Sequence, residues 1–203
     1  VKKFTDETGI EVLEFEVPTE TQREQAMRRM AERGATVVLG VGFAQADAIS
    51  KVAAEFPDTK FSIIDVSWLD APNLRQYAFK EHEGSYIVGI AAAKASKTGK
   101  VGFVGGMDIG LIRRFACGYV GGVKSINASA EVYQNMTGTT PAAWNDPAKG
   151  AELTQSQIDR GADVVYHAAG GTGAGVIQAA ADAGKLAIGV DSNQNGMAPG
   201  SVL

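Results

Sequence analysis

Two aspartates stand at matching places in a chain that repeats itself, and no other residues in it are better suited to hold a polar ligand. Asp65 closes the run Phe61-Ser62-Ile63-Ile64-Asp65, and Asp191 closes Leu186-Ala187-Ile188-Gly189-Val190-Asp191. A carboxylate just past the end of a strand accepts two or more hydrogen bonds, which suits vicinal hydroxyls or the N–H groups of a heterocyclic base. Two such acids can also form an acid/base pair, but no nucleophile motif or paired histidine accompanies them. Helix capping or a plain loop role is the alternative for each. Asp108 carries less weight, because an acid near a helix start is favoured by the helix dipole whatever else it does.

Other candidates cluster in the same kind of place. In an open parallel sheet, ligands bind beyond the carboxyl ends of the strands. Six segments qualify: residues 42–45, 65–68, 105–108, 137–145, 169–173 and 191–195. They add Phe43, Met107, Trp144, Gly170, Gly171, Thr172 and Asn193 to the aspartates. Phe43 and Trp144 can stack on a flat ligand or pack between lobes; Trp68 is a weaker case of the same kind. Gly170-Gly171-Thr172-Gly173 opens a helix as phosphate loops do, but no Lys-Ser/Thr pair follows and the spacing is not G-x-G-x-x-G. A tight turn that lets a ligand approach the backbone explains it as well. His82 and His167 stand apart from any cysteine or acidic cluster of metal spacing, so each is expected to be solvent-exposed or satisfied in the core.

The elements that must carry these residues come from the repeat. Arg33-Gly34-Ala35-Thr36-Val37-Val38 recurs as Arg160-Gly161-Ala162-Asp163-Val164-Val165. In the first copy the pattern predicts a strand over 11–17 and a helix opening at Pro18-Thr19 and ending near Arg33. Thr21 and Glu24 there have capping-box spacing, Met27 and Met30 lie on the apolar face, and Gly34 terminates the helix. A strand over 37–41, covered on both faces, a helix over 44–56 and a strand over 60–66 follow. The second copy predicts a strand over 131–135, a helix from Asp146-Pro147 to Gly161, a buried strand over 163–168, a helix over 173–183 and a strand over 186–190. Between them lie a strand over 76–79, a helix over 81–95, a strand over 100–104 and a helix to about Ser125. This alternation predicts an α/β protein of two lobes, each a parallel sheet flanked by helices, over 1–97 and 98–203, with a hinge over 96–100. Val1-Lys2-Lys3 falls where Val123-Lys124-Ser125 falls in the second copy, so the chain reads as a fragment whose first lobe lacks an opening strand and helix. The second lobe likewise reads as truncated before its final crossover.

Composition narrows the classes. With 203 residues, 45% of them hydrophobic, the chain can build one large domain or two small ones. A net charge of −4 argues against nucleic-acid binding, and no apolar run reaches the length of a membrane span. The single cysteine, Cys117, excludes an intrachain disulfide and is expected to be a buried thiol.

Several of these segments together resemble the basic membrane protein family, the substrate-binding lipoproteins of ABC transporters that include purine nucleoside receptors. The resemblance is carried by Ala31-Glu32-Arg33-Gly34-Ala35, Val41-Gly42-Phe43-Ala44, Phe61-Ser62-Ile63-Ile64-Asp65 and Phe79-Lys80-Glu81-His82-Glu83-Gly84-Ser85. It continues in residues 99–108, in Ala168-Ala169-Gly170-Gly171-Thr172-Gly173 and in Gly189-Val190-Asp191-Ser192-Asn193-Gln194. It implies a two-lobed periplasmic-binding fold of type 1 that closes on a nucleoside, purine favoured, and delivers it to an ABC permease, with no catalysis, cofactor or metal. It further implies a monomer, periplasmic or lipid-anchored on the outer face of the cytoplasmic membrane. Asp65 matches the acid for the base edge, Asp191 the acid for ribose hydroxyls, and Gly170 and Gly171 the loop against the sugar. Phe43 and Tyr166 fall near further cleft contacts. The family's first strand, with its own acid and a Phe-Asn segment, would precede Val1, and a ribose-contacting lysine would follow Leu203. The rival reading from another class is the effector-sensing domain of a transcriptional regulator, which uses the same fold.

Overall fold

Alternating strands and helices resolve into two compact units, Val1–Phe79 and Lys80–Leu203, in a computed structural model that describes residues 1–17 and 19–203. The expected helix start at Pro18 lies outside the described residues. Every strand pair is parallel.

The first unit contains α1 (Lys2–Thr8), α2 (Arg23–Glu32), β1 (Val37–Gly40), α3 (Ala46–Glu55), β2 (Lys60–Ile64) and β3 (Leu74–Tyr77), with sheet order β1-β2-β3. Met27 of α2 and Ile49, Val52 and Ala53 of α3 pack on Val38, Phe61 and Ile63, so both helices cover one face of this sheet. Gly34 ends α2 at φ 80°, a left-handed conformation that glycine adopts without a Cβ penalty. The expected capping box does not form: the N-terminus of α2 has no side-chain cap, and Glu24 instead accepts from Arg28, 2.8 Å away.

Two expectations for this unit fail. Residues 11–17 form no strand, although their counterpart in the second unit is a full strand. That counterpart pairs with a central neighbour, and the first unit has no equivalent of it among the described residues; an extended segment without a ladder partner leaves its backbone groups to water. The expected burial of the 37–41 strand on both faces fails too. Val37, Leu39 and Val41 are 58%, 55% and 66% exposed, while Val38 and Gly40 point inward.

The second unit contains α4 (Glu81–Ala95), β4 (Lys100–Met107), α5 (Gly110–Ile126), β5 (Glu131–Gly138), α6 (Pro147–Asp159), β6 (Val164–Ala168), α7 (Gly173–Asp182) and β7 (Leu186–Ile188), with sheet order β5-β4-β6-β7. Its central strands are buried on both sides, as a parallel sheet requires. Val101, Phe103 and Tyr166 face α4 and α5, with the rings of Phe103, Tyr119 and Tyr166 at centroid separations of 5.3–6.2 Å. Val104 and Val165 face the opposite side, with Val176 of α7 and Leu153 of α6. Asp146 caps α6 by accepting from the Lys149 N–H at 2.9 Å, with Pro147 in the first turn, as the sequence pattern predicts.

Here α4 belongs with the second unit rather than the first, because it lies along α5 at glycine contacts. A Cβ on Gly89 would strike Tyr119 O, and one on Gly122 would strike Tyr86 O. The hinge expected over 96–100 also falls inside this unit. Asp163, at the start of β6, accepts from Ser96 Oγ (2.6 Å), Lys97 N (2.7 Å) and Thr98 N (2.9 Å), which pins that loop. Cys117 is exposed, correcting the buried-thiol expectation. The buried face of α5 runs through Ile112, Ala116, Tyr119 and Val123, and Cys117 sits one residue past Ala116, turned off that face.

Candidate functional site

In the first unit, Phe43 and Asp65 occupy the carboxyl ends of adjacent strands. Gly40 of β1 pairs with Ile63 of β2, so the segments following them begin side by side. Phe43 opens a 3-10 turn into α3 and is half-buried against the core. Asp65 lies at φ 68°, and its N–H donates to Tyr77 O at 2.8 Å. The loop behind it is clamped by Gln76 of β3, whose Oε1 accepts from Leu69 N (2.8 Å) and whose Nε2 donates to Leu69 O (2.7 Å). Trp68 lies 64% exposed in the same loop.

The second unit repeats the arrangement. Asp191 follows β7 at φ 64° and is exposed. Among the described residues, Asp65 and Asp191 alone combine positive φ with a side chain. The left-handed region costs an L-residue about 1–2 kcal/mol, and aspartate is among the few that tolerate it. Such a conformation persists only where the surroundings over-determine it. Its appearance at two repeat-equivalent acids shows a backbone turn that the fold maintains at both places.

Beside Asp191, the carboxyl ends of the parallel strands gather most of the remaining candidates on one edge of the sheet. Met107 ends β4 half-buried, in register with Gly138. Trp144 lies over Gly106 and beside Gly170: a Cβ on Gly106 would run into its ring, and one on Gly170 would sit 3.5 Å from it. Gly170, at φ 56°, and Gly171 form the 3-10 turn into α7, with Gly171 close to Asn145 Oδ1 and Trp144 O. Asn193 is exposed, and its Oδ1 accepts from Asn195 N at 3.0 Å.

Three candidates are placed otherwise. Tyr166 is 3% exposed in the aromatic cluster, because β6 is covered on both faces; burial pushes its phenol up. Thr172 is fully buried, its hydroxyl donating to Ala143 O (2.8 Å) and accepting from Asp146 N (2.7 Å), so it staples the 141–146 segment to α7. Asp108 is engaged by Arg113 through two contacts, Nε at 2.7 Å and Nη2 at 3.0 Å, and this pairing holds its carboxyl below the usual range.

Sequence reasoning gave Gln194 no role and read His167 as solvent-exposed or satisfied in the core; the structure places it in the core. His167 is fully buried on β6 and 3.0 Å from Gln194 Oε1, and burial lowers its pKa. The available signal was a polar ring inside an otherwise apolar strand, which needs a hydrogen-bond partner from elsewhere. His82 is exposed. No group of histidine, cysteine and acidic side chains suited to a metal exists among the described residues, and no helix there is long and apolar enough to cross a membrane.

The chain superposes on a solute-binding protein of an ABC transporter system from Aeropyrum pernix K1 with TM-score 0.86 and 28% identity, covering 99% of this chain and 58% of that one. It also matches a transcriptional activator of the comK gene from Bacillus halodurans, with TM-score 0.83 and 25% identity over 100% of this chain and 69% of that one. Over residues 1–203 the sequence matches the Bmp family, described as ABC transporter substrate-binding protein PnrA-like, and the chain belongs to that family. It is 38% identical over 171 residues to the ABC transporter nucleoside-binding protein BmpA of Lactococcus lactis subsp. cremoris, covering 80% of this chain and 48% of that protein. It is 30% identical to Basic membrane protein A of Borreliella afzelii, over 100% of this chain and 62% of that protein. The chain thus spans roughly half to three-fifths of these relatives. The family is one of solute-binding proteins rather than enzymes.

Proposed function

We propose that this chain is the solute-recognition part of an ABC importer and that its ligand is a nucleoside, purine favoured. The carrying observation is the pair of left-handed aspartates, Asp65 and Asp191, at equivalent strand ends. In this reading Asp65 takes the N–H edge of the base and Asp191 the ribose hydroxyls. Phe43 and Trp144 supply apolar surface to the flat base, and the Gly170-Gly171 turn lets the sugar approach the backbone. Met107 and Asn193 border the ligand. This reading gives Tyr166, Thr172 and Asp108 no direct contact, since Tyr166 is buried and the polar groups of Thr172 and Asp108 already have partners. A ligand without hydroxyls leaves a carboxylate desolvated and unpaired, which is the basis of discrimination. Closure of the protein on the ligand creates the form that a permease recognises. The protein acts as a monomer at the outer face of the cytoplasmic membrane.

A second reading, a ligand-sensing domain of a transcriptional regulator, is favoured by the likeness to the Bacillus halodurans activator. A DNA-binding helical segment in the full-length protein would support it, whereas a lipid-attachment cysteine behind a signal segment would support transport.

A thermal-shift screen of the full-length protein against purine and pyrimidine nucleosides, free bases and pentoses tests the reading. A ligand at about 100 times its Kd stabilises by roughly 2.7 kcal/mol, which moves the melting transition measurably. A purine nucleoside is expected to give the largest shift. A cooperative melt that no nucleoside moves would overturn the ligand assignment.

A further inference from the structure

We infer that Gln194 and His167 are positioning residues that set the direction of the Asp191 carboxylate. Gln194 folds back over the turn that holds Asp191. Its Oε1 accepts from Val190 N at 2.9 Å and lies 3.0 Å from His167 Nε2. The backbone N–H of Val190 can only donate, so the amide must present its oxygen there. The imidazole nitrogen facing that same oxygen must then carry the proton. His167 is therefore an Nε2–H donor, and its Nδ1 has no hydrogen-bond partner among the described residues.

Both chain neighbours of Asp191 are held by hydrogen bonds. Val190, the residue before it, gives its N–H to Gln194 and accepts from Ser192 N through its carbonyl at 2.7 Å. With Val190 held at both backbone groups, Asp191 at φ 64° is the centre of a closed turn rather than a relaxed loop residue. The amide lies close over Gly189, since a Cβ there would stand 2.7 Å from Gln194 Oε1 and displace it. The imidazole is packed in turn, since a Cβ on Gly173 would overlap it. A rigid ring on a buried strand thus holds a side-chain carbonyl, and that carbonyl holds a strained turn. This is a support for a functional group, and neither residue touches the ligand in the reading above.

The inference rests on the assignment of Asp191 to the sugar, and its test separates the two. In full-length protein without ligand, Gln194→Ala is expected to speed amide hydrogen exchange at residues 190–192 by roughly tenfold or more, as the closed turn opens. Gln194→Asn, too short to reach both donors, is expected to do the same if the alanine variant folds poorly. His167→Gln, which can still donate to Oε1, is expected to restore most protection, whereas His167→Leu is not. With ligand, Gln194→Ala is expected to weaken a purine ribonucleoside about as much as Asp191→Ala does and to leave the free base unaffected. Combined with Asp191→Ala, it should add nothing further. Unchanged exchange in the turn, or additive losses in the double variant, would overturn the positioning role. If the wild-type protein binds no nucleoside, the functional reading fails, and the exchange comparison alone decides the positioning.

Discussion

Asp65 and Asp191 have φ values of 68° and 64°, and this shared backbone state lets the role of the carboxylate be separated from that of the turn. Asparagine tolerates the same conformation, so Asp191→Asn should keep stability within about 0.5 kcal/mol while removing the charge. Valine does not, and Asp191→Val should lower unfolding stability by about 1–2 kcal/mol, read from urea midpoints. Equal midpoints for the two variants would mean that the turn is not held in the left-handed region. At this scale the sequence was informative about position and silent about geometry. The repeat singled out both aspartates, but the bonds beside them, Asp65 N–H to Tyr77 O and Val190 N–H to Gln194 Oε1, are set by the fold. Tyr166 shows the converse: the family resemblance set it near a cleft contact, yet it lies mid-strand and both faces of β6 are covered.

Among the elements, the loop from α4 into β4 is fixed by Asp163. Burial raises its carboxyl, but the hydrogen bonds from Ser96, Thr98 and Lys97 outweigh that and hold it below its ordinary 3.8. A carboxyl depressed in the folded state adds stability that is fully present above the unfolded value, near pH 3.8, and is lost as pH falls through the lower folded value. Asp163→Asn is therefore expected to lower stability at neutral pH by about 1–3 kcal/mol and to flatten the acid limb below about pH 4. Urea titrations at pH 7 and pH 3 check this; an unchanged acid limb would show that the brace is not formed. Helices such as α4 were legible because 15 residues without proline, rich in alanine, have few alternatives. The segment at 11–17 was misread because alternating apolar residues define a strand only when a neighbour supplies its hydrogen bonds.

For the whole molecule, the duplicated pattern was enough to predict parallel α/β units, and the family match and the superposed structures agree with that reading. What the pattern could not carry was the assignment of α4 to the second unit, since its glycine contacts with α5 are visible only once the helices are packed. The ligand assignment is the central claim, and calorimetric titration of the full-length protein tests it most directly. The ligands are a purine ribonucleoside and its 2′,3′-dideoxy analogue, each titrated into wild-type and Asp191→Asn protein. The wild type should bind the ribonucleoside, and the substitution should weaken that binding by roughly 10- to 100-fold, the worth of a charge-assisted hydrogen bond, while the dideoxy analogue binds weakly and equally to both. No ribonucleoside binding by the wild type, or an equal loss for both ligands, would contradict the account.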